Sequence, residues 1–242
     1  MTTFLNYLKV IKKRNGLRYA LNIVKHVLVF AELQKQLRSK KQPLDLQLPW
    51  ITIEAKNMIL QYLIKNKIKT LQVFEYGAGG SSLFFLKHKC EVYTIEHNDE
   101  WLKKTTIEVE AFDLLSMWHP KLFEPESFKA DNNLSVDNPD DYFSLDPNFT
   151  KHTFVGYASA IDRHADNFFD IVMIDGRARP SCIKHASRKV KQGGLLIIDN
   201  SERLYYYTNT QQYLIGYIKI LSSYSALVAS ILPTQTNIYL KK

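Results

Sequence analysis

A chain of 242 residues with 45% hydrophobic content is long enough for one large α/β domain with an extension, and apolar enough to build a substantial core. No apolar run reaches the ~18 residues that cross a bilayer, because the best candidate, Leu17 to Ala31, carries Arg18, Lys25 and His26. The net charge of +8 sits almost wholly in residues 1–41, which hold ten basic side chains and one acid, Glu32, so the rest of the chain is near neutral and shows no sign of a polyanion-binding surface. Cys90 and Cys182 have neither metal-ligand spacing nor a disulfide framework, and the N-terminus has no small-residue cleavage site. The expected location is a reducing cytoplasm.

Residues 3–38 read as one or two helices interrupted at Gly16, with Leu17, Leu21, Val24, Leu28 and Ala31 recurring at steps of four and three. Three uses of this basic arm are open. It packs on the body or makes a homodimer, it contacts an anionic membrane surface peripherally, or it binds nucleic acid; stacking aromatics of the kind single-strand binders use are sparse. Residues 39–48 read as a linker, so the chain divides into a 1–48 helical extension and a 49–242 domain. A helix from Thr52 to Lys65 follows.

Residues 71–97 compress a strand, a glycine turn, a helix and a second strand into one unit. Leu71, Val73 and Phe74 form a short buried-strand run, broken by Gly77, Gly79 and Gly80. Ser81 and Ser82 can cap the helix, and Val92 to Ile95 forms a strand ending on Glu96. Glycines let backbone approach a ligand, and an acid at the tip of the second strand can accept both hydroxyls of a ribose. A dinucleotide fingerprint needs a third glycine for its pyrophosphate, and Ser82 stands there instead, which argues against a nicotinamide-dependent oxidoreductase. Glu75, two residues before the first glycine, suits a cationic ammonium and repels a pyrophosphate. A purely structural strand–turn–helix is the plain alternative.

These residues resemble the first two motifs of the class I S-adenosylmethionine-dependent methyltransferases. The resemblance implies a Rossmann-like α/β fold, with a seven-stranded, mostly parallel sheet and helices on both faces. It also implies a cofactor site made of Glu75, Tyr76, Gly77, Ala78, Gly79, Ser81 and Ser82 around the methionine part and Glu96 on the ribose. His97 and Trp101 become candidates to flank the adenine, and Trp50 and Thr52 candidates for a lid.

Past a helix starting at Asn98 or Asp99, the chain is hard to read from 110 to 155, where a third strand must lie. The acidic stretch 124–147, with Pro125, Pro139 and Pro147, reads as a lid or substrate-shaping insertion, ordered or not. Tyr157 to Ile161 reads as a short helix. A strand from Phe168 then ends in Asp175-Gly176, a helix spans 180–191, and a strand from Leu195 ends in Asp199-Asn200. Strand ends of an open α/β sheet share one mouth, so Asp175, Asp199 and Asn200 converge near Gly77 and Glu96, where oxygen groups can hold a divalent cation. The set resembles the Asp…Asp-Asn magnesium site of the catechol O-methyltransferase-like branch. That branch has a lysine base three residues after the first aspartate, where Ala178 stands here. Arg177 and Arg179 are poor bases and suit an acidic acceptor. A metal-free Asp175 as general base and a purely structural role are the rival readings. A tyrosine-rich loop from Ser201 to Tyr207 at the pocket mouth, a helix 211–221 and strands 226–232 and 236–240 close the chain, the last strand inserting antiparallel.

The expected function is S-adenosylmethionine-dependent methyl transfer to an oxygen of a small-molecule, sugar or glycan-precursor acceptor, with magnesium as a candidate second cofactor. The alternatives are an RNA methyltransferase using the basic arm and a non-catalytic cofactor-binding protein of the same fold.

Overall fold

The sheet is assembled by alternation. In β1 (Gln72–Tyr76), Val73 points to one face and Phe74 and Tyr76 to the other; in β6 (Phe169–Ile174), Ile171 and Met173 oppose Val172 and Ile174. The same switch recurs in β7 (Val190–Ile198), where Leu195 and Ile197 oppose Leu196 and Ile198. Strands buried on both faces carry apolar residues at every position, and each face then needs a helical layer. This computed structural model describes residues 4–15, 23–128, 133–230 and 233–242.

The remaining sheet strands are β2 (Glu91–Glu96), β3 (Trp118–Leu122), β8 (Tyr217–Ala226) and β9 (Pro233–Lys241), in the order β3-β2-β1-β6-β7-β9-β8. β3, β2, β1, β6 and β7 pair in parallel, while β9 runs antiparallel to both β7 and β8. The order reverses between β1 and β6. A crevice opens at such a reversal, outside the carboxyl ends of the strands. A small ribbon of β4 (Glu126–Ser127) and β5 (His152–Thr153) brackets the acidic insertion.

The helices are α1 (Phe4–Asn15), α2 (Ile23–Ser39), α3 (Pro43–Leu46), α4 (Ile53–Lys65), α5 (Gly80–Lys87), α6 (Asp99–Ala111), α7 (Val155–Ser159), α8 (Arg179–Ala186) and α9 (Tyr205–Thr208). One layer packs Ala55, Ile59, Leu83, Leu86 and Val109 on the sheet; the other packs Phe154, Tyr157, Cys182 and Ile183. Thr52 begins α4 by accepting from the Ala55 N–H at 3.4 Å, and Asn98 begins α6 by accepting from the Trp101 N–H at 2.8 Å.

The arm is joined to the body. Val29 and Leu33 of α2 are buried against Ile53, Tyr224, Ala226 and Val228, and Glu32 pairs with the Lys56 ammonium. Gln36 Oε1 accepts from the Ala229 N–H at 2.8 Å. The Gly16 interruption falls outside the described residues. Among those described, no helix is long and apolar enough to cross a membrane.

The C-terminal third departs from the periodicity reading. The helix expected at 180–191 stops at Ala186, because the chain enters β7 at Val190 and runs through Gly193 and Gly194. The helix expected at 211–221 is a 3-10 turn over Gln211–Leu214; Gly216, at φ +87°, then turns the chain into β8. The strand expected at 226–232 is the end of β8 and a turn, and residues 231–232 lie outside the description.

Candidate functional site

The turn after β1 is shaped by close packing. Gly77 (φ +111°) and Gly79 (φ +151°) hold conformations that side chains rarely adopt. The Gly77 N–H donates to the Ile95 carbonyl at 2.8 Å, tying the turn to β2. A Cβ on Gly80 would lie 2.2 Å from the Leu48 carbonyl oxygen, so residues 43–48 cover the start of α5 directly. Trp101 closes the other side, donating its indole N–H to the Ala78 carbonyl at 2.7 Å with its ring beside Gly79.

Glu96 is the charged centre of this turn. One oxygen, Oε2, accepts from the Ala78 N–H at 2.9 Å; the other, Oε1, accepts from the His97 and Asn98 N–H groups, each at 2.8 Å. Burial pushes its pKa up, but the neighbouring His97 and these N–H bonds outweigh it and hold the carboxyl below its ordinary range. Glu96 is therefore an ionised carboxylate lining the cleft, with acceptor capacity left on Oε2.

Glu75 behaves oppositely. It is buried, Oε1 accepting from Thr94 Oγ1 at 2.7 Å and from the Ser82 hydroxyl, while Oε2 has no hydrogen-bond partner. Burial pushes its pKa up to about 7 against those bonds. Ser82 Oγ in turn accepts from the Gly79 N–H at 3.1 Å, so Glu75 braces the glycine turn from behind.

A cleft of about 700 Å³ opens at this mouth, lined by Gly77, Ala78, Gly79, Ser81, Glu96, His97, Trp101, Asp175, Arg177, Arg179, Asp199 and Asn200 among others. Trp50 also lines it, whereas Thr52 is buried away from it, donating its N–H to Thr236 Oγ1. Glu75, Tyr76 and Ser82 do not line it. The Tyr76 ring is core, and its hydroxyl donates to the Ala158 carbonyl at 2.7 Å, because the alternation that buries Phe74 on that face also buries Tyr76.

Next to the cleft lies a side chamber of about 490 Å³, walled by Phe143 to Pro147 of the acidic insertion and by Arg177, Arg179, Arg203, Tyr205 and Tyr206. The insertion is fastened at its rim. Asp146 pairs with Arg177 at 2.9 Å, Asp140 with Lys184, and the Tyr142 hydroxyl meets His185 Nε2 at 3.0 Å. Arg177 Nε also donates to His97 Nε2 at 3.2 Å. Gly176 makes the floor tight, since a Cβ there would fall 1.8 Å from the Tyr157 hydroxyl.

Asp175, Asp199 and Asn200 do converge, but around Arg179. Its Nη1 donates to the Asp199 carbonyl at 2.5 Å and to Asn200 Oδ1 at 2.8 Å, its Nη2 to Asp175 Oδ1 at 3.1 Å, and its Nε to the Gly176 carbonyl at 3.0 Å. Asp199 Oδ1 accepts from Thr236 Oγ1 at 2.6 Å. Asp175 Oδ1 and Asn200 Oδ1 already serve a buried guanidinium, Asp199 meets it through its backbone carbonyl, and a dication beside it would meet like charge. Magnesium thus finds no support: among the described residues no cluster of His, Cys, Asp and Glu side chains could hold a metal ion. Burial raises the pKa of both aspartates; the nearby Arg179 charge opposes the rise, and their mutual repulsion adds to it for Asp199.

Arg203 was missed by the sequence reading, although it lies inside the tyrosine-rich loop. It lines both cavities and donates to the Tyr206 hydroxyl at 3.1 Å, and among the described residues no carboxylate forms an ion pair with it. A basic residue in a loop assigned to the pocket mouth was the available signal.

Among solved structures, a protein assigned as an O-methyltransferase from Klebsiella pneumoniae superposes with a TM-score of 0.55 at 12% identity, over 91% of this chain and 96% of that one. The Bacillus cereus O-methyltransferase in complex with SAH gives 0.52 at 14% identity, over 88% and 91%. The fold is the Rossmann-like fold of these methyltransferases. Cofactor-bound Rv0187 from MTB gives 0.52 at 13% identity, over 100% and 98%. No protein-family model and no curated protein matches the sequence. At these identities the likeness establishes this methyltransferase fold, with its antiparallel last strand, and leaves the site to be argued from its own residues.

Proposed function

We propose that the protein is an S-adenosylmethionine-dependent methyltransferase acting on an oxygen of a small acceptor that carries an anionic group. The carrying observation is Glu96, an ionised carboxylate facing a glycine-lined cleft and able to take a ribose hydroxyl on Oε2. Gly77 and Gly79 present backbone to the cleft, and Trp101 offers an aromatic wall. Trp50 and residues 42–44 form the roof. A cleft of this size and lining suits a nucleoside cofactor. Bound S-adenosylmethionine would supply an electrophilic methyl on a sulfonium sulfur.

The protein's task is then positioning and proton handling. Asp175, partly exposed to the cleft and with Oδ2 outside the Arg179 contact, is placed to receive the acceptor's hydroxyl proton as its oxygen takes the methyl. Arg203 supplies positive charge where an acceptor carboxylate or phosphate would enter, with Tyr205 and Tyr206 beside it. A sugar or glycan precursor bearing such a group fits this chamber. The burial of α2 on the body favours a structural role for the arm over the RNA reading. Two buried free thiols agree with a reducing, cytoplasmic setting.

Calorimetric titration with S-adenosylhomocysteine tests this reading. Wild type should bind one equivalent and Glu96→Ala should lose at least about tenfold in affinity, the worth of one charge-assisted hydrogen bond. Absence of binding by wild type, with binding of NADH instead, would sink it.

A further inference from the structure

We infer that Arg179 is the resident cation of this site, filling with its guanidinium the position between Asp175, Asp199 and Asn200 that a divalent ion would otherwise occupy. The argument is one of donor accounting. A guanidinium has five N–H groups in a rigid fork. Four are committed: Nε to Gly176, both hydrogens of Nη1 to Asp199 and Asn200, and one of Nη2 to Asp175. The remaining N–H lies on Nη2, and Arg179 borders both the cleft and the side chamber.

The charge balance points the same way. Asp175 and Asp199 bring two carboxylates to the mouth; Arg177 is shared with Asp146, and Arg179 is the cation in direct contact with Asp175. Removing Arg179 would leave the Asp175 carboxylate, the Asn200 amide oxygen and the Asp199 backbone carbonyl without their shared donor, beside the buried Asp199 carboxylate, which is the donor chemistry of a hard dication. A magnesium ion with Arg179 present would have to share Asp175 Oδ1 and Asn200 Oδ1 with a neighbouring positive charge. The site therefore operates on arginine, and the acceptor oxygen is positioned by an N–H donor and a carboxylate instead of by metal coordination. This deepens the methyltransferase reading in its chemistry, while the metal-binding statement stands without it.

The test is a manganese titration followed by electron paramagnetic resonance of free Mn²⁺, on the full chain without cofactor. Wild type and Arg179→Lys should show no stoichiometric site in the millimolar range. Arg179→Met should gain one, at least about tenfold tighter than any residual binding by wild type. Adding Asp175→Asn to Arg179→Met should abolish the gain. A wild-type site lost on Asp175→Asn would overturn the inference, as would a folded Arg179→Met that gains nothing. If Arg179→Met does not fold, the wild-type and Arg179→Lys titrations decide: silence supports the inference, and a stoichiometric site in either refutes it. S-adenosylhomocysteine titrated in EDTA separates the two proposals. Failure to bind with or without magnesium removes the cofactor reading and leaves the manganese result intact.

Discussion

Replacing Glu96 by glutamine changes one atom and reverses its hydrogen-bond sense. The carboxylate accepts from three N–H groups, those of His97 and Asn98 on one oxygen and that of Ala78 on the other. The amide can keep the pair by turning its oxygen toward them, but its NH₂ then faces the Ala78 N–H, donor against donor. One charge-assisted bond is lost and two become neutral, for a combined cost of about 3–4 kcal/mol. For a chain of this length that is a fall in melting temperature of roughly 6–16 °C. The sign of the pH dependence is fixed by the depressed pKa of Glu96. The folded state holds its proton less tightly than the unfolded chain, so the stabilisation is full above the unfolded value of about 4.3 and is lost as pH falls through the folded one. Thermal melts by circular dichroism at neutral pH and at about pH 2.5, well below the unfolded value, should therefore show a large gap between wild type and Glu96→Gln that narrows on acidification. A variant that melts with wild type at neutral pH, or a gap that stays constant with pH, would refute the account of Glu96 as an ionised hub.

Glu75→Gln should behave in the opposite way. Its folded pKa is raised to about 7 by burial, so ionisation opposes folding increasingly from the unfolded value of about 4.3 up to that point. Glutamine keeps an oxygen for Ser82 and Thr94 and carries no charge, so above pH 7 the variant should exceed wild type by on the order of 2–4 kcal/mol in denaturant melts; equal or lower stability there would contradict the burial argument. Gly176→Ala should be severely destabilised, since the new methyl would fall 1.8 Å from the buried Tyr157 hydroxyl and 2.9 Å from its ring. A loss of about 3 kcal/mol or more is expected, and Tyr157→Phe in the same chain should recover part of it. Arg203→Gln should act more on the acceptor than on S-adenosylhomocysteine, since Arg203 borders the side chamber as well as the cleft. It should raise KM for a phosphorylated or carboxylated acceptor by about tenfold or more, an effect absent with a neutral analogue.

The central strands were legible because burial on both faces forces continuous apolar runs, and the β1 turn because glycine is the residue its geometry demands. β3 was not: it is Trp-His-Pro-Lys-Leu, mostly exposed at the sheet edge, where a proline is tolerated and no hydrophobic pattern is required. Tyr217 to Ser225 misled for a related reason. Half of β8 is a solvent-facing edge, so its apolar residues lack the strict alternation that distinguishes a strand from a helix. At the site, the convergence of Asp175, Asp199 and Asn200 followed from strand ends sharing one mouth. That Arg179 would fold back between them did not, because it depends on the left-handed turn at Ala178 (φ 42°) aiming the first residue of α8 inward. Glu75 was placed at the right strand end, but the direction of its side chain depended on Ser82 and Thr94 as partners.

The side chamber is enclosed by pieces of unequal permanence. Its floor belongs to the sheet, while its wall, Phe143 to Pro147, is fastened by the Asp146–Arg177 pair and by Asp140 and Tyr142 reaching α8. The Asp146–Arg177 pair is partly buried and the Asp140–Lys184 pair more exposed, so salt screens the second more than the first. Tyr142 of the insertion and Phe149 just after it also pack against the buried core, so the wall is held by apolar contact as well as by charge. Raising ionic strength should therefore loosen the Asp140 end of the insertion before the Asp146 end, while the cleft lined by the glycine turn and Glu96 is left unchanged.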